Sequence, residues 1–251
     1  MITLQELSSY LDQLLASRDF NDDCPNGLQV EGKREVRKIA CAVSASVAAI
    51  EEAVRLGADV LIVHHGIFWQ KDPLPVIGPK KQKLEKLLTN QISLLGYHLP
   101  LDAHPKLGNN WKAASDLGWS QLEPFGLFRK MAIGVKGCFS PMSVEEFQKV
   151  LERYYGHPAH IAFGGKKEVS SCGIISGGAH WSIVEAAEQG LDCYLTGSFD
   201  EPIWDIAHER GVNFFALGHY ATERIGVMAL SEHLQAHFNL PSAFIDLTNP
   251  F

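Results

Sequence analysis

The chain has 251 residues, 46% apolar and 20% charged, with a net charge of −7. That apolar share excludes a disordered chain, and no apolar run approaches the roughly 18 residues of a membrane span. The acidic balance argues against nucleic acid or anionic lipid as a bulk electrostatic partner. Met1 to Glu6 has no basic stretch leading into an apolar one, so no signal peptide and a cytoplasmic location are expected. Five scattered cysteines without a C-x-x-C pair predict neither a disulfide framework nor a zinc ribbon. Eleven histidines are the unusual component, because imidazole suits metal binding and proton transfer near neutral pH.

Thr3 and Glu6 form a capping box, and Leu4, Leu7, Leu11, Leu14 and Leu15 follow at helical spacing. Asp22 to Gly32 is rich in turn formers. Lys38 to Val43 reads as a strand, Ser46 to Leu56 as a helix closed by Gly57, and Ala58 to Val63 as a buried parallel strand. A helix over Lys80 to Asn90 and a strand over Ile92 to Tyr97 complete this part. A second unit begins near Leu127, with a strand over Lys130 to Cys138 and a capping box at Ser143 to Glu146 opening a helix that stops at Gly156. Then come strand Cys172 to Ser176, helix Trp181 to Gln189 ended by Gly190, and strand Leu191 to Thr196. Helix Asp200 to Arg210, strand Val212 to Leu217, helix Thr222 to Phe238 and strand Ser242 to Leu247 end the chain. Alternating strands and helices predict an α/β fold with parallel strands.

The two parts look alike. Glu52 to Asp59 can be laid over Glu185 to Asp192 with one constant offset, which reads as an internal duplication of a βαβ unit. The same offset puts Gly197 and Ser198 where the first part has His64 and His65, so only the first copy kept that chemistry. The expected domains are 1–124 plus 217–251, which binds metal, and 125–216; the C-terminal segment completes the first.

Three clusters follow apolar strands: His64-His65, then His98 to Asp102, then His219 to Glu223. Sites in open α/β sheets lie at the carboxyl ends of the strands, so distant segments can converge there. Imidazole and carboxylate are the usual ligands of catalytic divalent metals. Adjacent histidines diverge in a strand, so one pocket uses both if two ions lie side by side, and a carboxylate can bridge them. Glu223 falls in the first turn of its expected helix, where the dipole favours an anion. His104 reads equally as a substrate-facing group and an exposed loop residue. His157, His160 and His180 fall in the second unit, and His208, His233 and His237 have helical positions suited to surface or core roles. Trp69 and Trp111 read as core or pocket wall, and Lys80, Lys81, Lys83 and Lys86 as a solvated helix face.

With these clusters, Asn26-Gly27-Leu28-Gln29-Val30-Glu31-Gly32, His64 to Trp69, His98 to His104 and Gly218 to Arg224 come in an order that resembles the GTP cyclohydrolase 1 type 2 family, also called YbgI-like or Nif-three-like. The resemblance runs over nearly the whole chain and is closest to the bacterial short form. It implies two similar α/β units, a toroidal homohexamer with the metal sites facing inward, and a dinuclear site of His64, His65, Asp102, His219 and Glu223, with Glu223 bridging. The ions, two per subunit, are Zn, Fe, Mn, Co or Ni, which the donor types do not distinguish. Many relatives carry Thr-Gly-Glu where this chain has Thr196-Gly197-Ser198, with Glu201 three residues on. The implied activity is that of a metal-dependent hydrolase on a nucleotide such as GTP: activated water attacks C8 of guanine, and His98 or His104 moves the proton. The alternatives are a regulatory or interaction protein and a metal-carrier ring without turnover.

Overall fold

The computed structural model describes residues 1–247 and 249–251. Contacts divide the chain into Met1–Leu107 with Gly226–Thr248, and Gly108–Ile225 with Asn249–Phe251. The boundaries read from the sequence put 108–124 and 217–225 in the first unit. The contacts group both with the second, because helix Asn109–Asp116 packs on strand Met131–Ser143 and Ala221 and Ile225 join that unit's core.

In the first unit the expected capping box is present: Thr3 N–H donates to Glu6 Oε2 at 2.7 Å and Glu6 N–H to Thr3 Oγ1 at 3.1 Å. It starts helix Leu4–Leu14, which buries Leu4, Leu7 and Leu11. The sheet has five strands in the order Ser242–Phe244, Ile39–Ser44, Val60–His65, Ser93–Gly96, Gly27–Val30. The first four pair in parallel and the last is antiparallel. The C-terminal segment therefore completes the first sheet. Helix Val47–Leu56 returns the chain between two parallel strands, capped by Ser46 and closed by Gly57 in the left-handed region at φ +66°. The central strands are buried along nearly their whole length, which explains their continuous apolar runs.

The second unit departs from the parallel pattern. Its six-stranded sheet runs Ser120–Phe128, Met131–Ser143, Glu168–Ile174, Cys193–Thr196, Asn213–Ala216, His160–Phe163. Only the three strands Glu168–Ile174, Cys193–Thr196 and Asn213–Ala216 are parallel to one another. A long antiparallel hairpin flanks them on one side and His160–Phe163 on the other. Helix Val144–Tyr155 starts at Ser143 and ends at Gly156, as its capping signals predict. No helix among the described residues is long and apolar enough to cross a membrane.

One hydrogen-bonded knot occurs in both units. Asp59 accepts from Arg37 N–H at 2.9 Å, Lys38 N–H at 3.2 Å and Lys33 Nζ at 3.2 Å. Asp192 accepts from Ser170 N–H at 3.0 Å, Ser171 Oγ at 3.1 Å and Lys166 Nζ at 2.9 Å. Each residue of the second knot lies at the constant offset from its counterpart in the first. In each, a carboxylate at the start of one parallel strand secures the backbone of its neighbour. Lys166 holds the carboxyl of Asp192 below the usual range, with Ser170 and Ser171 adding to this, against a burial that pushes it up.

Candidate metal centre

Strand Val60–His65 ends on its two histidines. His64 is fully buried, and its Nδ1 lies 3.1 Å from the carbonyl oxygen of Tyr97, just past the end of the next strand. His65 pairs in register with Ser44, whose Oγ lies 3.0 Å from His65 Nδ1. The strand stops here, so alternation does not carry the two rings apart: their centroids are 4.7 Å from one another. His98 precedes the short helix Leu99–Ala103. Its ring stands 5.0 Å from that of His64 and 5.6 Å from that of His65, and its Nδ1 faces Asp22 Oδ1 at 2.8 Å. One ligand atom from each of His64, His65 and His98 lies within 4.8 Å of the others. Asp102, one helical turn after His98, brings Oδ2 to 3.6 Å from His64 Nε2.

In the second unit, His219 and Glu223 sit one turn apart, with His219 Nε2 3.1 Å from Glu223 Oε1. The helix begins at His219, not at Thr222. Glu223 therefore lies past the first turn, and the expected dipole argument does not apply to it. His219 Nδ1 faces Ser198 Oγ at 3.0 Å. Glycines make room for the pair: a Cβ on Gly177 would sit 2.2 Å from Glu223 Oε1 and 3.2 Å from His219 Nε2. Gly177 also holds φ +68°, which favours glycine.

These observations fit a metal-binding set. An Nδ1 held by an acceptor oxygen fixes the ring and its tautomer and leaves Nε2 as the donor, as at His64 and His98; at His65 and His219 a serine hydroxyl, which can donate or accept, orients the ring through Nδ1. The chain also matches the family model Duf34/NIF3 (NGG1p interacting factor 3) over residues 2–250.

The chain belongs to the Duf34/NIF3 family.

Relatives of this Duf34/NIF3 protein bear this out. A GTP cyclohydrolase 1 type 2 homolog of Chlamydia muridarum is 47% identical, with all of each chain covered. The one from Escherichia coli K12 is 41% identical over 98% of each chain. The solved structure of the protein ybgI is 40% identical and superposes with a TM-score of 0.94 over the whole of both chains.

The segment 26–32 has a local physical role here. Asn26 Oδ1 accepts the N–H of His98 at 2.8 Å. Gln29 Oε1 accepts the N–H of Ile67 at 2.9 Å, and its amide passes so close to Gly66 and Gly96 that a Cβ on either would lie 2.2 or 2.5 Å from it. The partnerships of Asp22 with His98, Ser44 with His65 and Ser198 with His219 are not legible in the sequence. Asp22 lies among turn formers, and a hydroxyl on the neighbouring strand or on a loop leaves no spacing signal to its histidine. Trp69 forms a wall, its ring 5.1 Å from that of His98, beside a cavity of about 650 Å³ that Asp22 and Asn26 also line.

The structure does not group His104 with the other histidines. Its Nδ1 accepts from Lys106 N–H at 3.2 Å and Leu107 N–H at 3.0 Å. Burial, then the nearby His233, lowers its pKa against the raising effect of the Leu14 backbone. His233 itself bonds Tyr10 Oη at 2.5 Å, and burial lowers its pKa too. A base whose folded pKa lies below its unfolded value of ~6.5 stabilises the fold above that value. The contribution is lost as pH falls through ~6.5 toward the folded pKa, because the unfolded chain then binds more protons. The urea midpoint of the metal-free protein is thus expected to fall between pH 7.5 and 5.5. His104→Asn, which keeps an acceptor near the place of Nδ1, is expected to flatten that fall.

Gly177→Ala is expected to weaken divalent-metal binding, since its Cβ displaces the Glu223 carboxylate, and to cost about 1–2 kcal/mol of stability through backbone strain. Calorimetric metal titration and urea unfolding of the same variant check both effects.

Proposed function

We propose that the protein is a metal-dependent hydrolase holding two divalent ions, with His64, His65, Asp102, His219 and Glu223 as ligands and Glu223 bridging. His98 joins the donors in this reading, because Asp22 occupies its Nδ1 and its ring stands with those of His64 and His65. The observation that carries the reading is the three mutually close imidazole donors, each with Nδ1 tied to an oxygen. Nitrogen and oxygen donors suit Zn, Fe, Mn, Co or Ni. Divalent ions bound there supply Lewis acidity, lowering the pKa of water from about 15.7 to near 7. The chain's part is to orient four rings through their Nδ1 atoms, to present the Asp102 and Glu223 carboxylates, and to set the Trp69 ring against His98. His104 takes no part in proton transfer in this reading, because its Nδ1 accepts from two backbone amides and its ring also bonds the Leu14 backbone.

The relatives' name, GTP cyclohydrolase 1 type 2 homolog, supports a nucleotide such as GTP as substrate. A homohexameric ring and a cytoplasmic location belong to the same proposal. So does the descent of both units from one βαβ ancestor, which the matching Asp59 and Asp192 knots support.

A second reading, a regulatory or carrier protein without turnover, is favoured by the family's description as an interacting factor. It is also favoured by the exposed Phe199 and Trp204 beside a cavity of about 370 Å³ in the second unit. A hydrolysis screen separates the two. Protein loaded in turn with Zn, Mn, Co, Fe and Ni is incubated with GTP, other nucleotides and simple phosphoesters. Metal-dependent loss of the GTP purine absorbance supports the cyclohydrolase reading. Full metal occupancy with every substrate untouched sinks it in favour of the second.

A further inference from the structure

The carboxylate of Asp22 is 2% exposed and has a full set of hydrogen-bond donors. Oδ1 accepts from His98 Nδ1 at 2.8 Å, Asp23 N–H at 2.7 Å and Cys24 N–H at 3.3 Å. Oδ2 accepts from Leu99 N–H at 3.0 Å and Asn26 Nδ2 at 3.1 Å. These donors come from two segments far apart in sequence, one turn at Asp22 to Asn26 and the start of the helix after His98. Asn26 adds a second tie by accepting His98 N–H at 2.8 Å. Ring and backbone of His98 are therefore both held from the same turn.

The Nδ1 atoms of His64, His65 and His219 face a carbonyl or a hydroxyl oxygen, whereas that of His98 faces a carboxylate. A hydroxyl orients a ring; a buried anion also increases the electron density that the far nitrogen can donate. We propose that Asp22 is a positioning residue of the metal centre. Its carboxylate holds His98 in the Nδ1-protonated tautomer, with Nε2 as the donor, and strengthens that donor through its charge. This rests on the metal-binding reading above and adds to it a residue outside the ligand set.

The test is a cobalt(II) titration of the purified full chain, read by the visible absorption bands of the bound ion. Wild type, Asp22→Asn, His98→Ala and the double variant are compared, with Asp23→Asn removing an equal charge from the same turn. Asp22→Asn is expected to bind cobalt ~10–100-fold more weakly, the usual effect of losing an outer partner, with shifted bands, while Asp23→Asn matches wild type. In the His98→Ala background the Asp22 substitution is expected to have no further effect, because its action passes through that ring. Nitrogen-15 spectra of the metal-free wild type give an answer that does not depend on any Asp22 variant folding: the His98 signals should be those of the Nδ1-protonated tautomer. Unchanged cobalt affinity in Asp22→Asn, a full additional loss in the His98→Ala background, or an Nε2-protonated His98 overturns the proposal and leaves the metal-binding reading intact. Wild type that binds no cobalt overturns both.

Discussion

His65→Ala is expected to weaken divalent-metal binding by at least ~100-fold while the metal-free chain stays folded. Removal of an outer partner costs ~10–100-fold, and loss of a donor exceeds that. The stability cost should be small, because His65 is the last residue of its strand and only half-buried. Among its contacts the ring meets the Ser44 hydroxyl, which water can satisfy after the substitution, so a change within about 1 kcal/mol is expected. His64 makes a poorer test, since it is fully buried and its truncation would leave a cavity. Cobalt titration with urea unfolding of the same sample separates the two effects. A variant that binds as tightly as wild type would remove His65 from the ligand set.

Asp192→Ala is expected to destabilise the protein by about 3 kcal/mol, the range for removing one member of a buried charged network. The side chain is 8% exposed and serves Ser170 N–H and the Ser171 hydroxyl, which lose their acceptor in the variant. Lys166 is 74% exposed, so its ion pair adds little and Lys166→Ala should cost under about 1 kcal/mol. Asp59→Ala is expected to resemble Asp192→Ala, since its carboxylate secures the same kind of strand start. Urea midpoints of the three variants check the ordering. Equal costs for Asp192→Ala and Lys166→Ala would show that the ion pair, not the backbone anchorage, matters.

The elements with strong local signals stand where the sequence puts them. The Thr3 and Ser143 caps, the Gly57 and Gly156 stops and the continuous apolar runs at Val60 and Cys193 each follow from interactions within a few residues. The antiparallel strands Ser120–Phe128 and His160–Phe163 were not foreseen. The first contains Pro124 and Gly126, residue types that weaken a strand signal, and holds Gln121 and Gly126 at positive φ. The second is a four-residue edge strand with a half-polar pattern that only its partner Asn213–Ala216 organises. Within the candidate site, donor types at strand ends are legible because divalent metals draw on few side chains, chiefly His, Asp, Glu and Cys. The oxygens behind them are not, because Asp22, Ser44 and Ser198 reach their histidines through tertiary packing. The last helix is read from Thr222 in the sequence but starts at His219, directly after Gly218 at φ +88°.

The central claim is that these histidines and carboxylates bind metal. Elemental analysis of protein equilibrated with excess zinc and then freed of unbound ion tests it most directly. Two ions per chain in wild type, and a marked loss in His65→Ala, are the expected results. Near-zero content in wild type that fresh metal does not restore would contradict the account.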